Sequence, residues 1–253
     1  MDKITDITPK NATPISREDA IEALFANVPK EVEVEVQLPS KGKFYENFNG
    51  VRVKPLLFED EQRILSTSNR GVDAVNGILR KCVDGVPIES VVLFDKIFLL
   101  MKVREISYGA EYNFPISCPK CGAGVTTTID IAKHLDITYV EDDLEDPRTI
   151  RLPTLDVDVE VRFPRVIEES YLSDVDTIIK NLHRFVVSIA DTTDPVFINT
   201  VLKRLAIRDM KTISNAILKN DYGVDPRFNF ECPTCKHIEV LNVPLDAHFF
   251  SVS

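Results

Sequence analysis

Hydrophobic and polar residues alternate from Glu31 to Leu38, with Val32, Val34, Val36 and Leu38 on one side and Glu31, Glu33 and Glu35 on the other. A period of two predicts a half-buried strand. The turn-rich Leu38-Pro39-Ser40-Lys41-Gly42-Lys43-Phe44-Tyr45 follows, and Val51-Arg52-Val53 begins a second strand that Pro55 closes. The period then changes. Phe58-Glu59-Asp60-Glu61 opens a helix whose acidic first turn suits the positive end of its dipole. A second helix is predicted from Val72 to Val83, with Cys82 as a small buried core residue. A third, capped by Asp95, carries Ile97, Phe98, Leu100, Met101 and Val103 and stops near Gly109. Strand character on both sides of Cys118-Pro119-Lys120-Cys121 completes this set of elements.

An acidic stretch, Glu141 to Pro147, separates this set from a second one in the same order. Ile150, Leu152, Leu155, Val157, Val159, Val161 and Phe163 mark strands, and helices are predicted over 166–172, 174–190 and 195–206. Asp194-Pro195 starts the last of these with a cap and a proline at the first helical position. A helix from Asp209 to Asn220 is the counterpart of the Asp95 helix, and Phe228, Phe230 and Cys232-Pro233-Thr234-Cys235 close the chain. Upstream, residues 1–13 are polar and read as a flexible leader. Ser16 and Asp19 form a capping box for a short amphipathic helix, with Ala20, Ile21, Leu24 and Phe25 on one face and Pro29 at its end. That helix either packs on its own domain or docks in a partner, since both uses need the same spacing.

The recurrence is measurable. At an offset of 114 residues, Asp95, Tyr108, Gly109, Phe114, Cys118, Pro119, Cys121 and His134 match Asp209, Tyr222, Gly223, Phe228, Cys232, Pro233, Cys235 and His248. Eight identities in forty positions compare with roughly two or three expected by chance. Leu38-Pro39 falls in the same register with Leu152-Pro153. The unit that repeats has the size of an ordinary domain.

The paired C-x-x-C motifs point to a metal. The sequence has no apolar run approaching the ~20 residues of a membrane span, and its N-terminus lacks the basic-then-apolar order of a signal peptide. A cytosolic, reducing setting is expected, where such motifs more often bind metal than form structural disulfides. Zinc takes four soft donors at about 2.3 Å, and one C-x-x-C turn supplies two of them. Cys118 and Cys121 with Cys232 and Cys235 would therefore hold one structural zinc between the halves, with Lys120 and His237 placed to moderate its negative charge. Thiol exchange is the competing use, but it favours a pair that precedes a helix, and here strand-like residues follow. Each half also reads C-x2-C-x12-H, so separate sites using His134 and His248 stay open beside the simpler reading that both histidines pack or cap at strand ends.

A chain of 253 residues, 44% of them hydrophobic, can bury a substantial core. The formal charge of −10 and a pI near 5.0 argue against a phosphate-binding surface. Only four histidines occur, none in an H-E-x-x-H or H-x-E setting, and there is no Walker-type loop among nine glycines. No catalytic residue is predicted. A four-cysteine zinc has no open coordination position, so the metal would be a brace.

Three stretches carry a family likeness: Leu38 to Tyr45, Val53-Lys54-Pro55-Leu56 running into Phe58-Glu59-Asp60-Glu61, and Asp95 with Arg104-Glu105-Ile106-Ser107-Tyr108-Gly109 leading to the first C-x-x-C. Together, over residues 36–135, they resemble the baseplate hub proteins of T-even-like contractile-tailed phages. The resemblance implies a virion component or assembly factor of the central hub, working in the host bacterial cytoplasm or in the tail baseplate. It implies contacts with other phage baseplate and tail proteins, and no known catalytic centre.

The expected architecture is α+β, with two tandem homologous repeats of strands, three helices and a C-terminal β-hairpin zinc knuckle. Residues 1–30 form the leader, 31–140 the first repeat, 141–148 the linker and 149–253 the second repeat. No small-molecule substrate, membrane or nucleic acid is expected as a partner. The alternative function is a zinc-ribbon module for nucleic acid or the transcription machinery, built on Arg63, Arg70, Arg80 and Lys81 and on Lys203, Arg204, Arg208 and Lys211. A thiol oxidoreductase is a third, weaker reading.

Overall fold

The computed structural model describes residues 16–26, 33–66, 72–219, 222–245 and 247–250. Two compact units divide the chain, residues 1–32 and 33–253. In the first, α1 (Arg17–Phe25) starts as its sequence predicts. The Asp19 amide donates to Ser16 Oγ at 3.0 Å and the Ser16 amide to Asp19 Oδ2 at 3.3 Å, satisfying two otherwise open donors. Ile21, Leu24 and Phe25 are exposed. The leader and Pro29 lie outside the described residues.

The second unit begins with an antiparallel sheet of β1 (Val34–Val36), β2 (Val51–Val53) and β3 (Val83–Asp84), in that order. Helices α2 (Phe58–Ser66) and α3 (Val72–Cys82) connect β2 to β3, and α4 (Leu93–Tyr108) follows. Helix α4 buries Phe94, Phe98, Leu99, Leu100, Met101 and Val103, a nearly all-round apolar surface that suits a central position. Hairpin β4 (Glu111–Ser117) and β5 (Gly124–Asp130) comes next, then α5 (Ile131–His134) and β6 (Ile137–Thr138). Cys82 is fully buried.

The order then recurs. Strands β7 (Arg148–Arg151), β8 (Asp158–Val161) and β9 (Val186–Ile189) form a second three-stranded antiparallel sheet, again in sequence order. A 3-10 turn over 166–172 and α6 (Val175–Asn181) lie between β8 and β9, and α7 (Pro195–Leu202) and α8 (Ile207–Leu218) follow. Strand β10 (Gly223–Val224) pairs with β6, so the end of the first set of elements is strapped to the second. The hairpin of β11 (Arg227–Glu231) and β12 (Ile238–Asn242) precedes a final 3-10 turn over 247–250.

Two expectations are corrected. The helix predicted over 174–190 is α6, a 3-10 turn and β9, because Val186, Ser188 and Ile189 are claimed by pairing with β8. Asp95 does not cap its helix: α4 starts after Val92, and the Asp95 carboxylate lies within the first turn, fully buried. It accepts from the Ser40 amide at 3.0 Å and the Tyr45 hydroxyl at 2.6 Å. Asp209 does the same in α8, accepting from Thr154 and Leu155 amides at 2.7 and 3.1 Å. Each aspartate therefore ties a Leu-Pro turn, 55 residues earlier, to the start of a helix.

The main core joins the first sheet, α3 and α4 with both hairpins, so Phe228, Phe230 and Val243 from the end of the chain pack with Phe114, Ile129 and Leu99. A second core lies between the β7-β8-β9 sheet and helices α7 and α8. Phe163 bridges toward the first half, its ring against Phe44, Phe94 and Tyr222 at centroid distances of 5.4 to 5.8 Å.

Candidate metal centre

Both C-x-x-C motifs sit at the tips of hairpins, and their turns match bond for bond. In the first, the Gly122 amide donates to the Cys118 carbonyl and the Cys118 amide to the Ala123 carbonyl, both at 2.9 Å. In the second, the Lys236 amide donates to the Cys232 carbonyl at 2.9 Å and the Cys232 amide to the His237 carbonyl at 2.8 Å. The fifth position of each turn takes a left-handed backbone, φ 70° at Gly122 and 58° at Lys236. Glycine accepts that conformation freely, whereas a side chain costs about 1 kcal/mol there.

Alternation along the strands brings the tips together. Tyr112 and Phe114 of β4 and Phe228 and Phe230 of β11 all point inward, because residues two apart share a face. Packing of those faces sets Cys118 Sγ 3.7 Å from Cys235 Sγ and Cys121 Sγ 3.8 Å from Cys232 Sγ, with all four sulfurs within 4.8 Å of one another. A tetrahedron with bonds of about 2.3 Å has edges of about 3.8 Å, so the sulfurs are spaced as a tetrathiolate zinc requires. They are far from the ~2.05 Å of a disulfide. Cys118 and Cys232 are buried, Cys235 is half-buried and Cys121 faces solvent.

Their protons are unequally held. Amide hydrogen bonds, from Cys235 first and Thr234 next, hold the Cys232 thiol down at about 6. The Ala123 backbone acts in the same direction on Cys121, but hydrogen bonds with the other sulfurs outweigh it and push that thiol up to about 12.

The remaining sequence candidates are placed as follows. His134 Nδ1 lies 2.8 Å from the Asp130 amide at the end of β5, so the ring closes a strand end and is not among the clustered donors. His237 Nε2 lies 3.0 Å from Glu239 Oε2. Lys120 is exposed on the first turn, and the side chain of His248 is outside the described residues. Strands, not helices, follow both cysteine pairs. Among the described residues, the four cysteines are the group of histidine, cysteine and carboxylate side chains able to hold a metal ion.

Elsewhere, a cleft of about 710 Å³ beside α3 is lined by Asp73, Asn76, Arg80, Glu89, Leu93 and Glu169. Its charged groups are already engaged: Arg80 with Glu89 at 2.7 Å, and Glu169 with the buried Lys96 behind it at 2.5 Å. Burial holds the Lys96 amine below its usual range despite that partner. On the proposed basic face, Lys81 pairs with Asp60 at 3.3 Å, while the side chains of Arg63 and Arg70 lie outside the described residues.

Sequence reasoning missed the anchoring role of Asp95 and Asp209. The signal was present, since both the aspartates and the Leu-Pro pairs recur at the same offset. No helix among the described residues is long and apolar enough to cross a membrane. A family model described as T4 bacteriophage base plate protein matches residues 30–251. No curated protein and no solved structure matches.

Proposed function

The chain belongs to the T4 bacteriophage base plate protein family, and from that premise we propose that it is a non-enzymatic structural or assembly protein of a contractile-tail baseplate hub, acting through protein contacts on a zinc-braced scaffold. Membership places it among structural proteins of the phage tail baseplate, whose partners are other tail proteins. The observation that carries the finer reading is the four-sulfur cluster, two donors from the hairpin after α4 and two from the hairpin after α8. Zinc bound there would have no position left for a substrate and would supply cohesion between the two ends of the chain.

The scaffold is best understood as a tandem duplication, with residues 31–140 and 149–253 as its units. Sheets of the same strand order, aspartate-anchored Leu-Pro turns and matching hairpin turns support this. Crossing of the second hairpin into the core of the first unit makes the metal a clasp between units. The nucleic-acid alternative finds little support, because the chain is strongly acidic and Arg80 and Lys81 are already paired.

Zinc analysis of freshly purified protein, together with mass spectrometry of mature particles and assembly intermediates, tests both halves of this reading. One zinc per chain and recovery with tail or hub proteins is expected. Metal-free protein with freely titratable thiols would remove the clasp, and a chain found off particles and off intermediates would remove the hub role.

A further inference from the structure

Within the chain, one of the contacts by which the second repeat grips the first is made by an extended segment. Val92 and Arg165 form an antiparallel bridge, the Leu93 amide donates to the Pro164 carbonyl at 3.1 Å, and the Val166 amide donates to the Val91 carbonyl at 2.9 Å. This contact leaves Val91 and Val92 with no exposed surface.

Each side of that contact has a counterpart in the other repeat, and each counterpart has an exposed apolar end, Ala206-Ile207 on one side and Leu57-Phe58 on the other. At the offset of 114, Val91-Val92-Leu93 corresponds to Leu205-Ala206-Ile207, where Ile207 is 84% exposed. On the gripping side, Val53-Lys54-Pro55-Leu56-Leu57-Phe58 corresponds to Val161-Arg162-Phe163-Pro164-Arg165-Val166-Ile167, with Phe163 as an insertion. The backbone supports that alignment: the Lys54 amide donates to Cys82 and the Arg162 amide to Phe185, each just before the third strand and each at 2.9 Å. Leu57 is 41% exposed and Phe58 69%.

Charge selects the same pair of surfaces. Glu59 follows Phe58, while Arg204 and Arg208 flank the Leu205–Ile207 segment, and all three are exposed.

We propose that copies of this chain join head to tail, the segment 55–58 of one copy docking on Leu205–Ile207 of the next, as 164–166, the counterpart of 55–57, docks on 91–93 within a chain. The inference rests on the duplication read above. A contact between two different patches leaves one patch free on each outer copy, so it builds a ring where the rotation closes and a filament where it does not. The occupant is a second copy because the chain itself contains both halves of the contact and a worked instance of their fit.

The test is analytical ultracentrifugation of the full, zinc-loaded protein with Phe58→Asp and Ile207→Asp variants. Both side chains are exposed, so thermal transitions matching the wild type are expected. Wild type should grow beyond its 28.6 kDa monomer as concentration rises and fall back as salt screens the Glu59 contact with the arginines. Each variant alone should stay monomeric. An equal mixture should form a one-to-one dimer and stop there, because the joined pair carries both blocked patches outward. A wild type that stays monomeric, variants that associate like the wild type, or a mixture that stays monomeric overturns the proposal. Zinc content separates the two readings: a monomeric chain with one zinc sinks the head-to-tail contact and leaves the clasp, whereas association without zinc sinks the clasp alone.

Discussion

Phe114 and Phe228 meet edge to face, with ring centroids 5.6 Å apart and planes at 87°, and each is the other's counterpart at the offset of 114 residues. A residue that touches its own counterpart marks a locally two-fold contact. The sulfurs follow the same rule: the first cysteine of each C-x-x-C turn lies nearest the second cysteine of the other. Both rings are buried, so Phe114→Ala and Phe228→Ala should each cost about 3 to 5 kcal/mol in chemical denaturation. The double variant should lose less than the sum of the two, because each single change already empties the shared contact. Additive losses would mean that the hairpins are held together elsewhere.

Metal removal reports on the same interface. Zinc-peptide couplings reach ~10 to 16 kcal/mol, and a chain of this size shifts its transition by ~2 to 4 °C for each kcal/mol, so a chelator that removes the full coupling should lower the calorimetric midpoint by at least about 20 °C. Cys121→Ser and Cys232→Ser should each drop bound zinc below one per chain. A midpoint indifferent to chelator would rule out a bracing ion.

The hairpins and the cysteine cluster were legible in the sequence because their signals are local: a period of two on either side of a C-x-x-C turn. Their joining was legible through the identities at the offset of 114 residues. Strand β9 was hidden. Ile178, Leu182, Phe185 and Ile189 keep helical spacing, and only pairing with β8, more than twenty residues earlier, turns the last of them into a strand. The grip of 164–166 on 91–93 is a backbone contact between distant segments, and no side-chain pattern encodes it.

Asp95 shows how a local rule can mislead. An acidic residue ahead of an apolar helix reads as a cap, yet its carboxylate anchors a turn 55 residues away. Burial pushes this carboxyl above its usual range, against the hydrogen bonds from Ser40 and Tyr45 that favour the charged form. Asp209→Asn makes the cleaner test. Thr154 and Leu155 both donate amides to it, and an asparagine has one acceptor oxygen for the two, turning its own N–H groups on the other donor. A loss of about 1 to 3 kcal/mol is expected in urea unfolding, with a comparable loss for Asp95→Asn. An unchanged urea midpoint would show that the turns hold without their aspartates.

Glu168 gives the fold an acid-sensitive joint next to the segment that grips residues 91–93. Burial alone would raise its carboxyl, but two charge-assisted bonds from Arg162, at 2.6 and 2.8 Å, and one from the Arg165 amide at 3.1 Å leave it below the ordinary range. With the folded value depressed, the unfolded chain takes up the proton first as the pH falls. The stabilisation is therefore complete above the ordinary glutamate value of about 4.3 and is lost as the pH drops through the lower, folded value. Glu168→Gln keeps the shape and removes the charge, so it should cost about 2 kcal/mol at neutral pH, the scale of hydrogen bonds to a charged group. Urea unfolding of both proteins across acid pH supplies the readout. The two stability curves should lie apart at neutral pH and converge in acid, where the wild-type carboxyl is also protonated. Curves that run parallel down through the acid range would show that the Arg162 contact carries no charge-dependent stability.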